Sequence, residues 1–184
     1  MYADDFAGIC ETENQLAQLI KTVEEWCKEW RLKPNVNKSA IMAIRPSRRK
    51  TDKKPKISLL NEHIPVVKNY EYLGVILNHT ATWTDQIKHV AQKIKRCTQA
   101  LHQVYTNKIL NTELKVRILS ATAYAVLQYG SESWYATNSD LVKLEAALLT
   151  GARKIIGCPL RVAKAAIFHD LGLPEQKLSS KREN

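Results

Sequence analysis

The sequence predicts an α+β fold in which a small antiparallel sheet with one helix, residues 1–80, is followed by an all-helical bundle, residues 81–184. In the first part, short apolar segments alternate with turn-forming residues, which is typical of strands joined by tight connections. In the second part, apolar residues recur every three or four positions, which is the period of an amphipathic helix. The change of period near Thr82 predicts two lobes with a boundary close to residue 80.

The composition is that of a globular protein with an excess of positive charge. The chain is 45% hydrophobic and 25% charged, which supports a buried core. Lys and Arg number 28 against 18 Asp and Glu, a net charge of +10, and this excess favours a polyanionic partner. The four cysteines lack metal-ligand or disulfide spacing, so we expect reduced thiols in an intracellular protein of the nucleus or cytoplasm. No apolar stretch approaches the roughly 20 residues of a membrane span.

The first lobe is expected to begin with a hairpin and a helix. Residues 1–10 are predicted to form the end of one strand, a turn at residues 3–5 and a second strand. Thr12 and Gln15 have the spacing of a capping box, which marks the start of a helix. Pro34 is expected to end this helix, because proline lacks the amide hydrogen that a helix interior needs.

Shorter strands and one basic loop complete the first lobe. The strands are predicted at residues 40–44, 57–60, 63–67 and 70–77, with a hairpin turn at Asn61-Glu62. The loop, residues 45–56, contains two prolines, one acid and seven basic residues: Arg45, Arg48, Arg49, Lys50, Lys53, Lys54 and Lys56. Its charge density predicts an exposed segment that attracts nucleic acid, and the alternative is a solvated connector.

The second lobe is predicted to contain helices at residues 87–104, 114–127, 141–156 and 163–171. Gly157 and Pro159 end the third of them by the usual C-terminal chemistry. On the first, Lys88 and Lys95 lie opposite the apolar stripe. This face could follow a nucleic-acid backbone, or it could be an ordinary solvated face. The four tryptophans, at positions 26, 30, 83 and 134, are expected to fill cores.

Asp4 and Asp5 are adjacent acids at the tip of the first predicted hairpin. On a tight turn both carboxylates can approach one cation, and hard oxygen ligands suit Mg²⁺. Two such ions can stabilise the attacking and leaving oxygens of a phosphoryl transfer. The alternative is an ordinary polar turn. The flanking apolar residues favour a strand-turn-strand arrangement with the acids at the tip.

Five motifs follow one another along the chain. They are YADD at residues 2–5, LKPNVNKS at residues 32–39, YEYLGV at residues 70–75, Trp83 with the basic helix after it, and YGSESW at residues 129–134. In this order they resemble the reverse transcriptases of non-LTR retrotransposons, from the palm active-site turn to the region beyond the thumb. The second motif departs from the family pattern, since Arg31 stands where a glycine is usual. The resemblance implies that residues 1–80 are part of a polymerase palm and residues 81–184 a thumb with its downstream region.

The resemblance implies an RNA-directed DNA polymerase that transfers nucleotides with Mg²⁺ on a template-primer of RNA and DNA. Asp4 would be the principal metal ligand and Asp5 its companion, while Tyr2 would contact the incoming nucleotide or the template-primer. Lys38 would act as a general acid or stabilise charge on the departing pyrophosphate. The alternative for Lys38 is a side chain that simply faces solvent.

The resemblance also assigns a role to the YLG segment. Tyr72, Leu73 and Gly74 would hold the end of the primer, in the strand that the family uses as its primer grip. The alternative is a plain core strand, because an apolar segment there needs no ligand. Gly74 inside a predicted strand favours a close approach of another backbone.

The resemblance further implies parts that these 184 residues do not contain. The family's metal site needs a third aspartate on an earlier palm strand, and the fingers also precede YADD. We therefore expect a C-terminal portion of the enzyme that is inactive alone, unless an upstream segment or another chain completes the site. The alternative function is a non-catalytic nucleic-acid-binding or interaction module derived from a retroelement, and a degenerate reading frame is a third hypothesis. The sequence leaves template preference and oligomeric state open.

Overall fold

The computed structural model describes residues 5–45 and 57–173, and the chain divides into two compact units. Unit 1 comprises Met1–Tyr70 with His79–Ala81, and unit 2 comprises Glu71–Asn78 with Thr82–Asn184. Among the described residues, unit 1 contains one helix and short strands, and unit 2 contains six helices. The α+β class is therefore confirmed. No described helix is both long and apolar enough to cross a membrane.

Helix α1, Glu13–Glu29, begins as the sequence predicts. The Gln15 amide donates to Thr12 Oγ1 at 3.2 Å, and the Thr12 amide donates to Gln15 Oε1 at 3.2 Å. These two bonds are the predicted capping box. Because both partners lie within one helical turn of sequence, the start of α1 requires no tertiary contact.

The end of α1 differs from the prediction. The helix stops at Glu29, well before Pro34, because Arg31 adopts a left-handed conformation with φ 54°. The Leu32 amide donates to the Cys27 carbonyl at 2.8 Å, and the Arg31 amide donates to the Lys28 carbonyl at 3.3 Å. This pair of bonds is a Schellman motif, in which the left-handed position is usually glycine.

The strands of unit 1 are fewer and shorter than predicted. Residues 6–10, expected as a strand, lie in none, since no described segment offers them a ladder partner, and the preceding residues 1–4 lie outside the described residues. In residues 40–44 the predicted strand is reduced to a parallel bridge between Ile41 and Val66. There the Ile41 amide donates to the Pro65 carbonyl, and the Ile41 carbonyl accepts from the Val67 amide.

The hairpin predicted around Asn61-Glu62 is present with its turn displaced by one residue. Strands β1, Ser58–Leu59, and β2, Glu62–His63, pair antiparallel. Leu60 and Asn61 form the turn with φ values of 53° and 65°, whereas Asn61 and Glu62 were expected there. The Leu60 amide donates to a Glu24 carboxylate oxygen at 2.6 Å, so a contact from α1 supports this register.

The predicted single strand at residues 70–77 is instead a second hairpin. Strands β3, Asn69–Tyr72, and β4, Val75–Asn78, form a two-stranded sheet. Leu73 and Gly74 connect them with φ values of 48° and 76°. Two consecutive positive φ values define the tight turn whose twist matches that of an antiparallel pair. The YLG segment is therefore the tip of a hairpin and not a continuous core strand.

The helices of unit 2 follow the predicted period closely. They are α2 Thr84–Ala100, α3 His102–Thr106, α4 Thr112–Leu119, α5 Ala125–Gln128, α6 Asn138–Ile156 and α7 Lys164–Asp170. A π-helical turn, Ser120–Tyr124, joins α4 to α5, where a regular helix was expected. Gly157 ends α6 with φ 72°, as predicted. No strand interrupts the described part of the chain beyond residue 82.

The core of unit 2 is formed where α2 packs against α6. Its fully buried side chains include Ile87, Ile94, Leu119, Leu127, Leu144 and Leu148. Trp134 is also buried, at 4% exposure, and Trp83 packs against this core. Trp26 and Trp30, however, are 43% and 63% exposed, so the prediction that they fill a core is wrong.

Candidate nucleic-acid interface

The hairpin tip formed by residues 72–74 is the best-defined candidate site in unit 2. Tyr72 ends β3, and Leu73 presents an exposed side chain at the turn, with 37% exposure. Leu73 adopts a left-handed conformation, which costs a residue with a Cβ roughly 1–2 kcal/mol. A strained apolar residue at an exposed tip is not explained by core packing.

Tyr129, directly after α5, holds this tip through a contact that no sequence pattern indicated. Its hydroxyl donates to the Leu73 carbonyl at 3.1 Å. A Cβ atom added to Gly74 would lie 2.8 Å from Tyr129 Cε1, so the ring occupies the space that a side chain at position 74 would need. The YGSESW motif marked this region, but only the tertiary structure identifies its partner.

The hairpin is also attached to the first turn of α2. Gln86 is 1% exposed, and its Oε1 accepts a hydrogen bond from the Ile76 amide at 2.8 Å. The Asn78 side-chain amide donates to the Asp85 carboxylate. Both strand residues belong to β4, so this strand is fixed to the helix along its length. Neither contact was predicted, because a buried glutamine beside an apolar stripe has no distinctive sequence signal.

Helix α2 presents a basic face to solvent within the same unit. Lys88 and Lys95 are exposed, as the helical period predicts, while Ile87, Val90 and Ile94 on the opposite face are buried. His89, beside this face, has a pKa below its usual value, chiefly because of partial burial and also because of nearby lysine and arginine charges. The charges of Lys93 and Arg96 on α2 therefore add to the effect of burial on His89.

In unit 1, Lys38 lies on a well-supported turn. Val36–Lys38 form a 3-10 turn in which the Lys38 amide donates to Asn35 Oδ1 at 3.3 Å. The Tyr70 hydroxyl donates to the Lys38 carbonyl at 2.9 Å. The asparagine of the motif is thus a cap, and the lysine side chain remains exposed. This geometry fixes the backbone of Lys38 and leaves its ammonium group free to meet a ligand.

The structure describes only part of the remaining predicted site. Asp5 and Arg45 are described, and both are exposed. The other predicted site residues lie outside the described residues: Tyr2, Asp4, Arg48, Arg49, Lys50, Lys53, Lys54 and Lys56. Within residues 5–45 and 57–173, no three His, Cys, Asp or Glu side chains converge on a possible metal position.

Comparisons with known proteins cover the whole chain. Residues 1–77 match the family model for reverse transcriptase (RNA-dependent DNA polymerase). The chain is 25% identical over 191 residues to the RNA-directed DNA polymerase from mobile element jockey of Drosophila melanogaster, covering 100% of this chain and 20% of that protein. It is 26% identical over 180 residues to the probable RNA-directed DNA polymerase from transposon BS of the same organism, covering 94% of this chain and 20% of that protein.

The chain spans about a fifth of the length of these two relatives. No solved structure matches it. The family match ends within β4, so it includes the hairpin tip, whereas the similarity to the two relatives continues through the helices of unit 2.

Proposed function

We propose that this chain, which is related to the reverse transcriptases of non-LTR mobile elements, supplies the carboxy-terminal part of the palm, the primer grip and the thumb of an RNA-directed DNA polymerase. The family implies a divalent cation and an RNA or DNA template. Under this proposal, residues 1–80 belong to the palm and residues 81–184 to the thumb and the region downstream. The four free thiols agree with a location inside the cell, in the nucleus or cytoplasm.

The observation that carries the proposal is the strained, exposed tip at Leu73 and Gly74. Backbone strain in a folded protein persists where surrounding contacts hold it, and it is concentrated at functional sites. Here Tyr129, Gln86 and the Asn78–Asp85 pair hold the hairpin. A rigid apolar tip of this kind suits contact with the sugar of a primer's terminal nucleotide, and the missing side chain of Gly74 allows close backbone approach.

The basic groups have a different role in the proposal. Lys88 and Lys95 on α2, together with the seven basic residues of residues 45–56, would neutralise phosphates of the template-primer. Such contacts give affinity and orientation without reading sequence. We therefore assign the end of the primer to the hairpin tip and the duplex backbone to the basic residues.

For the chemical step, we propose Asp4 and Asp5 as Mg²⁺ ligands, Tyr2 as a nucleotide contact and Lys38 as the group that protonates or stabilises the departing pyrophosphate. The cation, when bound, supplies charge stabilisation for nucleotidyl transfer. Two adjacent carboxylates make only part of a two-ion site. The 184 residues by themselves are therefore expected to bind nucleic acid without extending a primer.

A second candidate is a non-catalytic nucleic-acid-binding module. The net charge of +10 and the exposed basic face of α2 support it, because charge alone gives binding without chemistry. The two candidates differ in what they recognise. A primer grip distinguishes a recessed 3′ end from a blunt end, whereas a purely electrostatic module binds both in proportion to their phosphates.

The test measures the affinity of the 184-residue polypeptide for two duplexes of equal phosphate number, one with a recessed 3′ end and one blunt. Fluorescence anisotropy at several salt concentrations should give tighter binding to the recessed end under the first proposal. Equal affinity would favour the second candidate. A parallel assay with Mg²⁺ and nucleotides should give no primer extension, and extension that Asp4→Asn abolishes would show that the chain completes its own metal site.

A further inference from the structure

We infer that Tyr129 is a positioning residue, which holds the Leu73-Gly74 turn in the conformation that receives the 3′ end of a primer. This inference rests on the proposed function of the turn and adds to it a residue far away in sequence. Tyr129 is the first residue of the YGSESW motif, to which the resemblance assigned no role, and it lies beyond the residues matched by the family model.

The backbone of Tyr129 is fixed by a contact that does not involve its side chain. Tyr129 immediately follows α5, and its amide donates to the Ala125 carbonyl at 3.1 Å. Its φ and ψ of −60° and 120° turn the chain out of the helix at this residue. The side chain therefore starts from an anchored position, which makes a single directed hydrogen bond useful for placing another segment.

The hydroxyl of Tyr129 acts on the strained residue of the turn. It donates to the carbonyl of Leu73 at 3.1 Å, across 56 residues of sequence. Of the two turn residues, Leu73 is the one that adopts a left-handed conformation without being glycine. A bond to its carbonyl fixes the peptide plane between Leu73 and Gly74, because rotating that plane would break the bond. The turn is thus held in one conformation in spite of its intrinsic cost.

The ring of Tyr129 restricts the same turn by steric contact. A Cβ at position 74 would meet Tyr129 Cε1 at 2.8 Å and the hydroxyl oxygen at 3.4 Å. At the next residue, a Cβ on Gly130 would lie 3.0 Å from Val75 Cγ2. Two consecutive residues, Tyr129 and Gly130, therefore pack closely against residues 74 and 75.

Core packing does not account for Tyr129, because its side chain is 61% exposed. Its described contacts are made with the turn. In contrast, the aromatic residues Tyr105 and Trp134 are buried in the core. A tyrosine in this position is needed for its hydroxyl and for one face of its ring. Substitution can therefore measure the contribution of the hydroxyl and the contribution of the ring separately.

The first experiment contains no nucleic acid. Hydrogen exchange of the amides of residues 73–75 is compared between the wild type, Tyr129→Phe and the control Tyr135→Phe. Tyr135 is a 49% exposed tyrosine of the same segment. Its ring packs edge-on against that of Trp83, with the two ring centroids 6.5 Å apart. Loss of the Tyr129 hydroxyl should accelerate exchange about two- to tenfold, and the control should leave it unchanged. Unchanged exchange in Tyr129→Phe would overturn the inference that the hydroxyl holds the turn.

The second experiment measures binding to the recessed and blunt duplexes. Tyr129→Phe should lower the preference for the recessed 3′ end about two- to tenfold, and Tyr129→Ala should lower it further, while blunt-duplex affinity stays constant. A purely structural role would weaken both duplexes alike. A wild-type preference that survives both substitutions would overturn the inference. Absence of any preference in the wild type would instead overturn the proposed grip function, and hydrogen exchange would then decide alone whether Tyr129 fixes the turn.

Discussion

The side chain of Gln86 accepts a hydrogen bond from the backbone amide of Ile76 at 2.8 Å, although Gln86 is only 1% exposed. A buried amide side chain is stable in a core only when its polar atoms are paired. Here the pairing attaches strand β4, and with it the hairpin tip, to helix α2. Gln86 of α2 therefore helps to position strand β4.

Replacing Gln86 with Leu should lower the free energy of unfolding by about 1–3 kcal/mol, because the partly buried Ile76 amide loses its acceptor. Urea unfolding followed by circular dichroism measures the change. The matched control is Gln92→Leu on the exposed face of the same helix, which should change stability by less than about 0.5 kcal/mol. Equal effects of the two substitutions would contradict a specific role for Gln86.

Replacing Leu73 with Asn should separate stability from binding. Asparagine tolerates the left-handed conformation, and Asn-Gly is the preferred pair for a turn with two positive φ values. The free energy of unfolding should therefore rise by about 0.5–1 kcal/mol. The preference for a recessed 3′ end over a blunt duplex should fall, since the exposed apolar side chain is gone. If both quantities fell, Leu73 would contribute to packing and not to a strained site.

Replacing Arg31 with Gly should stabilise unit 1. Arg31 occupies the left-handed position of a Schellman motif with φ 54°, where glycine avoids the steric cost of a Cβ. We expect the free energy of unfolding to rise by about 0.5–1 kcal/mol. Arg31→Ala removes the same charge but keeps the Cβ, so it should give no comparable gain. A gain in the alanine variant would point to charge repulsion and not to backbone strain.

Acidification should destabilise the protein through His89. Burial of this side chain, with the charges of Lys93 and Arg96, lowers its pKa below 6.5, while Glu71 opposes the shift. The folded state therefore binds a proton at His89 less well than the unfolded chain does. The stability that neutral His89 contributes is complete above about pH 6.5, and it is lost as the pH falls below that value. Urea midpoints measured between about pH 7.5 and 5.5 should fall more in the wild type than in His89→Gln.

Binding of nucleic acid should depend strongly on salt. If about four to six phosphates are contacted, the logarithm of affinity should fall against the logarithm of salt concentration with a slope of roughly −3 to −5. Replacing Arg48, Arg49 and Lys50 with Ala should flatten this slope and weaken all sequences alike. These residues lie outside the described residues, so the prediction rests on their charge.

The control for the basic loop removes an equal charge from residues already engaged in ion pairs. Three such residues are Arg117, Lys143 and Lys164, which pair with Glu113, Asp140 and Glu145. Their triple alanine variant should keep the wild-type slope. If both triple variants flattened the slope equally, binding would depend on net charge and not on the loop.

The sequence by itself determined the elements whose stabilising contacts are local. The capping box of Thr12 and Gln15 starts α1, and Gly157 ends α6, in both cases through bonds between residues at most four positions apart. The apolar period of the helices in unit 2 is equally local, because it follows from 3.6 residues per turn. The family resemblance carried by the ordered motifs is also confirmed, while the roles of individual site residues stay predictions.

Only the tertiary structure decided where the chain turns and what holds each turn. The Leu60-Asn61 turn is supported by Glu24, 36 residues away, and the Leu73-Gly74 turn by Tyr129, 56 residues away. Leucine and arginine at positive φ carry no sequence signal, because their intrinsic preference is for the opposite conformation. At Leu60 and Leu73, contacts distant in sequence offset about 1–2 kcal/mol of local strain, whereas the bonds that hold Arg31 are local. Local bonds therefore determine where α1 begins and where α6 ends, and contacts distant in sequence determine the geometry of the candidate site.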